Sequence, residues 1–360
     1  MPIVPEGELR RRIGGLQARL GARSLRGALF TARVDRFYFA GTVQEGLLWV
    51  PAEGDPTLFV LRDVDRARRE TPWEIVAVPG GRELWSRARA LVAGGAAGLS
   101  LDVLSGRDLA RLGLQDLRDA EDVGPHVLAL RRRKSPWEIG RLEETGRVAA
   151  EVFRYAGEVL RAGMTEAELA GQLFARAMEL GHEGLLRSRG DFEAYSWHVL
   201  SGPNAARPGA LDSPMSGEGL SPAFPWGAGR REIRRGDPVI VDFGVSVFGY
   251  QTDQTRTFCV GSPPGWLREA HAGLLEVHGA LAAALRAGTA AGDVFAAGER
   301  GASRLGLAGY LGRPGGRCRF VGHGVGLEIV EPPLIAQGSR EVLEASSAVA
   351  LEPKAVVGDR

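Results

Sequence analysis

A chain of 360 residues, 44% hydrophobic and 25% charged, has the composition of an ordinary folded protein and the length of two domains. Its 45 Lys and Arg balance 44 Asp and Glu, which argues against nucleic acid as a partner, since such binders carry a basic excess or stripe. No apolar run approaches the ~18 residues of a membrane span, so no membrane partner is expected.

The N-terminal stretch MPIVPEGELRRRIGG lacks the apolar core of a secretory signal. The two cysteines, Cys259 and Cys318, form no CxxC pattern and read as reduced thiols in a cytoplasmic protein. Short basic clusters at Arg10–Arg12, Arg131–Arg133 and Arg230–Arg235 read as solvated surface. The 51 glycines are scattered without a period, the mark of many turns.

GALFTARVDRFYFAG and GLLWVPAEGDPTLFVLRD read as strands broken by turn residues, and EIVAVPG as another short strand. RELWSRARALVAG places Leu84, Trp85, Ala88, Leu91 and Val92 at helical spacing. Residues 1–128 are therefore expected to form a small α/β domain.

A second unit, residues 129–360, opens near VLALRRRKSPWEIGRLEETG. Ser135, Pro136 and Glu138 fit an N-cap, a first-turn proline and a capping-box acid. Ile139, Leu142, Ala149, Val152, Phe153 and Ala156 then share one helical face. Gly163 closes this helix, and Thr165 with Glu168 caps the next. After residue 190 strand signals appear in SWHVLSG, DPVIVDFG and YQTDQTRTFCV. GWLREAHAGLLEVHGALAAALRAG reads as a helix, and the remainder as Gly-rich turns and short strands. This unit is expected to be α+β, without a fixed-period repeat.

Two aspartates interrupt the strand-like stretch. With a hairpin turn at Val247 and Phe248, Asp242 faces Asp253, and directly opposed carboxylates repel. A bound cation, a shared proton or a different register each relieves the conflict. The alternative is a pair of surface acids at strand edges. Further on, VGHGVGLEIVEPP sets His323 between glycines that permit close backbone approach. ALEPKAVV puts Glu352 at the end of an apolar strand, a poor place for an unneutralised charge. The other histidines (His126, His182, His198, His271 and His278) read as structural. Three carboxylates and one imidazole suit Mn²⁺, Co²⁺, Zn²⁺ or Fe²⁺ better than a thiolate-seeking metal, and Mn²⁺ heads that list.

The ordered set VDFG…GYQTDQTRTF, GHGVGLE and LEPK resembles the pita-bread metallopeptidases, the family of Xaa-Pro aminopeptidases, prolidases, methionine aminopeptidases and metal-free creatinases. DRFYFAG, LRRRKSPWEI and RAGMTEAEL add supporting matches, so the resemblance covers most of the chain. It implies a creatinase-like α/β N-terminal domain, an α+β pita-bread C-terminal domain and a homodimer. It makes Asp242, Asp253, His323 and Glu352 ligands of a two-metal site, with Asp253 bridging and Glu352 also acting as general base. The implied reaction is cleavage of Xaa-Pro bonds in short peptides by a water bridging the two ions.

The chain departs from the family pattern in three places. The family's fifth ligand, a later glutamate, is not reached before VVGDR, so a C-terminally truncated pita-bread domain is expected. The histidine that usually follows the SGxN segment is Gly209, and the one before the acid of the GHG segment is Val330, followed by Glu331. His198 and Glu331 are the candidates to take over these catalytic roles. Arg256 is expected to pair with a carboxylate. The competing expectations are a catalytically impaired binding or scaffold protein, and a hydrolase of another small C–N substrate, as creatinase is.

Overall fold

The computed structural model describes residues 3–114, 116, 120–190, 197–209, 213–307, 309–312 and 317–358. The chain divides into two units, Met1–Arg131 and Arg132–Arg360. This boundary lies slightly beyond the expected one at residue 128, because Arg131 is buried and pairs with Asp35 of the first unit at 3.4 Å.

The first unit runs α1 (Glu6–Gly21), β1 (Gly27–Phe30), α2 (Arg33–Ala40), β2 (Gly46–Pro51), β3 (Thr57–Val60), α3 (Val64–Glu70), β4 (Glu74–Ala77), α4 (Gly81–Val92), β5 (Ala97–Leu99), α5 (Gly106–Leu112), β6 (Glu121–Asp122) and α6 (Gly124–Arg132). Its six strands form one mixed sheet in the order β4-β3-β2-β1-β5-β6.

Two expectations fail here. RVDRFYFA forms helix α2 instead of a strand. Aromatic residues favour strands, but tertiary partners override that propensity: Tyr38 and Phe39 are buried, Trp73 Nε1 donates to Phe39 O, and Arg12 donates to Tyr38 O. The basic clusters are not all solvated either. Arg12 is fully buried, paired with Glu8 at 2.8 Å and stacked over the Tyr38 ring.

The second unit contains α7 (Pro136–Val159), α8 (Glu166–Glu179), β7 (Trp197–Ser201), β8 (Pro238–Val247), β9 (Tyr250–Cys259), α9 (Gly265–Ala284), α10 (Ala291–Arg304), β10 (Phe320–Gly324), β11 (Glu331–Ala336) and β12 (Val349–Leu351). Two helices followed by three strands thus occur twice. Both expected capping boxes form: Ser135 with Glu138 on α7, and Thr165 with Glu168 on α8. Each satisfies backbone donors that the first turn cannot pair.

The strands make two three-stranded sheets, β7-β8-β9 and β11-β10-β12. On the first, Ala149, Val152, Phe153 and Ala156 of α7 form a core with Val239, Val241, Phe243 and Val245 of β8. The valine and phenylalanine side chains among these contribute about 1.5–3 kcal/mol each when fully buried. On the second, Val277 and Leu281 of α9 and Val294 and Phe295 of α10 pack with Val321 and Ile335.

Helix α10 was expected to be turns and short strands. Its three glycines lower helix propensity, but packing uses one of them directly. A Cβ on Gly298 would lie 2.8 Å from Leu281 Cδ2 and 2.7 Å from the Tyr310 hydroxyl, so the close approach of α10 to α9 requires glycine there. No described helix is long and apolar enough to cross a membrane.

Candidate metal centre

The β8–β9 hairpin turns on Phe248 and Gly249, both with positive φ, as a tight two-residue turn requires. Phe248 is a strained choice, held by an edge-to-face contact with Trp137 at 5.8 Å. The turn lies one residue later than expected, so the pairing moves by two. Asp242 faces Thr255, and Asp253 faces Gly244. A shift of two preserves side-chain parity, so both aspartates still share one face, as diagonal rather than direct neighbours. On the other side of β8, His198 pairs directly with Asp242 and joins the same row.

His323 comes from β10, the central strand of the second sheet. It pairs with Ala350 of β12, and Glu352 N donates to Val321 O one step further along. Positions 321 and 323 share a face, so Glu352 lands beside His323. The flanking glycines are sterically required: a Cβ on Gly322 would lie 2.4 Å from Ala350 O, and one on Gly324 the same distance from Pro332 O.

These elements converge. His323 Nε2 lies 2.7 Å from Glu352 Oε1 and 3.5 Å from Asp253 Oδ2. One donor atom from each of the three residues lies within 4.8 Å of the others. His323 Nδ1 sits 3.1 Å from Gly324 O, which orients Nε2 toward the acids, as in a ligating histidine held by a backbone carbonyl. Burial disfavours the charged ring, but Asp253 and Glu352 outweigh it and raise its pKa to about 10. Asp242 lies beside this group without belonging to it. Burial, then the charges of Asp253 and Glu352, push its carboxyl well above the ordinary range. Partly buried carboxylates that repel one another around a buried imidazole are a donor set that a divalent cation would neutralise, and their hard and borderline chemistry fits Mn²⁺, Co²⁺, Zn²⁺ or Fe²⁺.

The remaining sequence candidates fall in different places. His198 borders the group, and burial pushes its pKa down to about 4, so its ring is neutral at ordinary pH. Glu331 is buried and stands outside the three-donor group. Its Oε2 pairs with Lys134 Nζ at 2.8 Å and its Oε1 accepts from Glu328 N. Gly209 cannot be given a side chain without displacement, since a Cβ there would meet Ser216 Cβ at 2.7 Å. Val330 is 43% exposed. Arg256 pairs with no described carboxylate; it lies over the Phe153 ring and donates to Thr255 O and Gln254.

Sequence reasoning missed two residues. Lys354 ion-pairs with Glu352 Oε2, and its only signal was a lysine two places after a candidate ligand. Glu166 is a buried carboxylate that accepts from Ser201 N, Ser201 Oγ, Asn204 Nδ2 and Gly229 N, and so fixes the SGPN segment.

Residues 140–359 match metallopeptidase family M24, and residues 12–132 match the creatinase/prolidase N-terminal domain. A probable dipeptidase PepE of Mycobacterium tuberculosis is 31% identical over 62% of this chain and 52% of its own length. The matched segment thus spans about half the length of that relative. A Xaa-Pro dipeptidase of Pyrococcus furiosus is 25% identical over 89% of this chain and 83% of its own. In fold, the chain is similar to a Xaa-Pro dipeptidase from Bacillus anthracis, with a TM-score of 0.78 at 24% identity over 97% of this chain and 91% of that one. It is also similar to dipeptidase PepE from Mycobacterium ulcerans, with a TM-score of 0.78 at 23% identity over 100% and 92%. The chain belongs to metallopeptidase family M24, with a creatinase-type N-terminal domain preceding its M24 domain.

Proposed function

We propose that this protein is a metal-dependent peptidase that cleaves Xaa-Pro bonds in short peptides, with the chemistry centred on Asp253, His323, Glu352 and the adjacent Asp242. The observation that carries the reading is the convergence within 4.8 Å of a histidine nitrogen and two carboxylate oxygens, from β9, from β10 and from the residue that follows β12. Relatives named Xaa-Pro dipeptidase and dipeptidase PepE support the substrate class. Two divalent ions, Mn²⁺ first among them, would supply when bound Lewis acidity toward the scissile carbonyl and a water nucleophilic near neutral pH.

The chain's own residues take the remaining roles. Asp253 and His323 hold the centre, and Glu352 receives the proton lost by the attacking water. His198, neutral and in the same row as Asp242, offers a hydrogen bond to the bound peptide. Glu331 acts through its pairing with Lys134 and orders the segment after His323. A cytoplasmic setting is proposed from the sequence, whose two cysteines without a CxxC pattern read as reduced thiols. A homodimer is proposed from the family resemblance alone.

The test is hydrolysis of a panel of Xaa-Pro dipeptides and tripeptides with added Mn²⁺ or Co²⁺. Turnover no greater than that of Glu352→Ala refutes the reading. One observation favours a second, binding-only reading: Gly209 stands where peptidases of this family usually carry a histidine, and its surroundings leave no room for a side chain. Tight peptide binding without turnover would select it.

A further inference from the structure

The three donors of the candidate centre come from two sheets. Asp253 lies on β9, whereas His323 lies on β10 and Glu352 follows β12. Their spacing therefore depends on what couples the sheets beside the site. We propose that Gln251, two residues before Asp253 on β9, is a positioning residue that sets Asp253 against His323 and so tunes the centre's affinity for a divalent ion. The inference rests on the divalent-metal reading above and deepens it.

Gln251 is fully buried, and its bonds leave its own sheet. β9 is an edge strand, and Gln251 N donates to Gly326 O at 2.7 Å, three residues after His323. The side-chain Nε2 donates to Leu327 O at 2.7 Å and to Arg187 O at 3.3 Å. Oε1 accepts from Arg187 N at 2.9 Å. Ile329 N donates to the same Arg187 carbonyl at 2.8 Å. The amide thus spends both donor hydrogens and an acceptor on two other segments.

The gripped segment has no slack on its other side. A Cβ on Gly326 would lie 2.7 Å from each carboxylate oxygen of Glu331, whose Oε2 pairs with Lys134. With residues 326–328 held between Gln251 and Glu331, the chain leaving His323 keeps one path relative to β9. Without the amide, Leu327 O and Arg187 N lose these bonds, and a shift of the segment relieves the cost. That shift alters the spacing of His323 Nε2 and Asp253 Oδ2, which is 3.5 Å here.

The experiment is calorimetric titration of metal-free protein with MnCl₂ for the native chain, Gln251→Met and Leu173→Ala. Methionine keeps the length and loses the hydrogen bonds. Leu173 is fully buried on α8, in the core that packs on β8, so its truncation destabilises the same unit without touching the Gln251 bonds. Gln251→Met should weaken Mn²⁺ binding by about tenfold or more, the scale of outer-sphere partners of a metal. Leu173→Ala should leave it within about twofold. The visible spectrum of the Co²⁺-loaded protein should shift in Gln251→Met and not in Leu173→Ala. Native Mn²⁺ affinity in Gln251→Met overturns the proposal, as does equal weakening in the two variants.

The native chain gives a check without mutation. Coupling between the bonds and the ion is reciprocal, so Mn²⁺ should slow hydrogen exchange at the Arg187, Gln251 and Ile329 amides. Unchanged exchange there in protein that has bound Mn²⁺ overturns the proposal. Mn²⁺ binding without peptide turnover defeats the peptidase reading and leaves this one standing. No Mn²⁺ binding by the native chain defeats the metal reading and this inference with it.

Discussion

Asp242 and Asp253 share one face of the β8–β9 hairpin but stand out of step, Asp242 opposite Thr255 and Asp253 opposite Gly244. Direct opposition would set two carboxylates at the closest cross-strand spacing, whereas a diagonal places their Cβ atoms about 7–8 Å apart or somewhat less. The glycine opposite Asp253 is itself filled in by a neighbour, since a Cβ on Gly244 would lie 2.4 Å from Leu186 Cδ1. The two acids are therefore not equivalent: Asp253 belongs to the three-donor group, and Asp242 flanks it.

This asymmetry predicts unequal effects of truncation. Asp253→Ala should weaken binding of the first Mn²⁺ by more than the roughly 10–100-fold that outer-sphere partners of a metal typically contribute. Asp242→Ala should act mainly on the second ion. Calorimetric titration of both variants checks this, and equal losses at the first step would sink the assignment.

Much of this was legible in the sequence for physical reasons. Capping boxes are local, so Ser135 and Thr165 announced their helices. Side-chain parity survives a two-residue error in register, so Asp242 and Asp253 were placed on one face even though the hairpin turn was misplaced. What was not legible depends on partners distant in sequence. Nothing local in RVDRFYFA reports that Trp73 and Arg12 will satisfy the carbonyls at the end of a helix. The glycines of α10 suggested turns because helix α9, which demands one of them, cannot be seen from within that stretch. The pairing of Glu331 was not legible either, because Lys134, its partner, lies far upstream.

Glu166 offers a stability test away from the chemistry. Its carboxylate accepts four buried hydrogen bonds from two segments, Ser201–Asn204 and Gly229. Burial raises its pKa, and hydrogen bonds from Gly229, Ser201 and Asn204 oppose that rise. Glu166→Ala orphans these donors together and should cost about 3 kcal/mol or more in urea unfolding, since buried groups left unpaired cost about 1–3 kcal/mol each. A loss below about 1 kcal/mol would mean that the node does not organise the segment.

The Lys134–Glu331 pair separates structure from catalysis. Both side chains are almost fully buried. Glu331→Ala removes the carboxylate partner of a buried ammonium and should destabilise by about 3–5 kcal/mol. The double variant Lys134→Met, Glu331→Leu removes both charges and should recover most of that loss, short of the bond from Glu328 N. If Glu331 acts only through this pairing, the double variant retains peptide turnover. A stable double variant with abolished turnover would give Glu331 a catalytic role instead.

His182 predicts a pH dependence with a definite sign. Its ring is 3% exposed, packs edge-on against Phe174, and accepts from Ser246 N at Nδ1. Burial lowers its pKa below the ordinary value, and the charge of Glu183 pulls the other way. In the unfolded chain the ring takes up a proton near pH 6.5, before the folded ring does. The unfolded state therefore binds more protons as the pH falls through this window, and stability must fall with it. The contribution is complete above about pH 6.5 and is lost as the pH drops toward the folded pKa. His182→Gln keeps a side-chain acceptor and removes the titration. Urea unfolding of both proteins at about pH 7.5 and about pH 5.5 isolates the effect from the other histidines. The native protein should lose more stability than the variant on acidification, and parallel losses would show that His182 does not titrate differently in the two states.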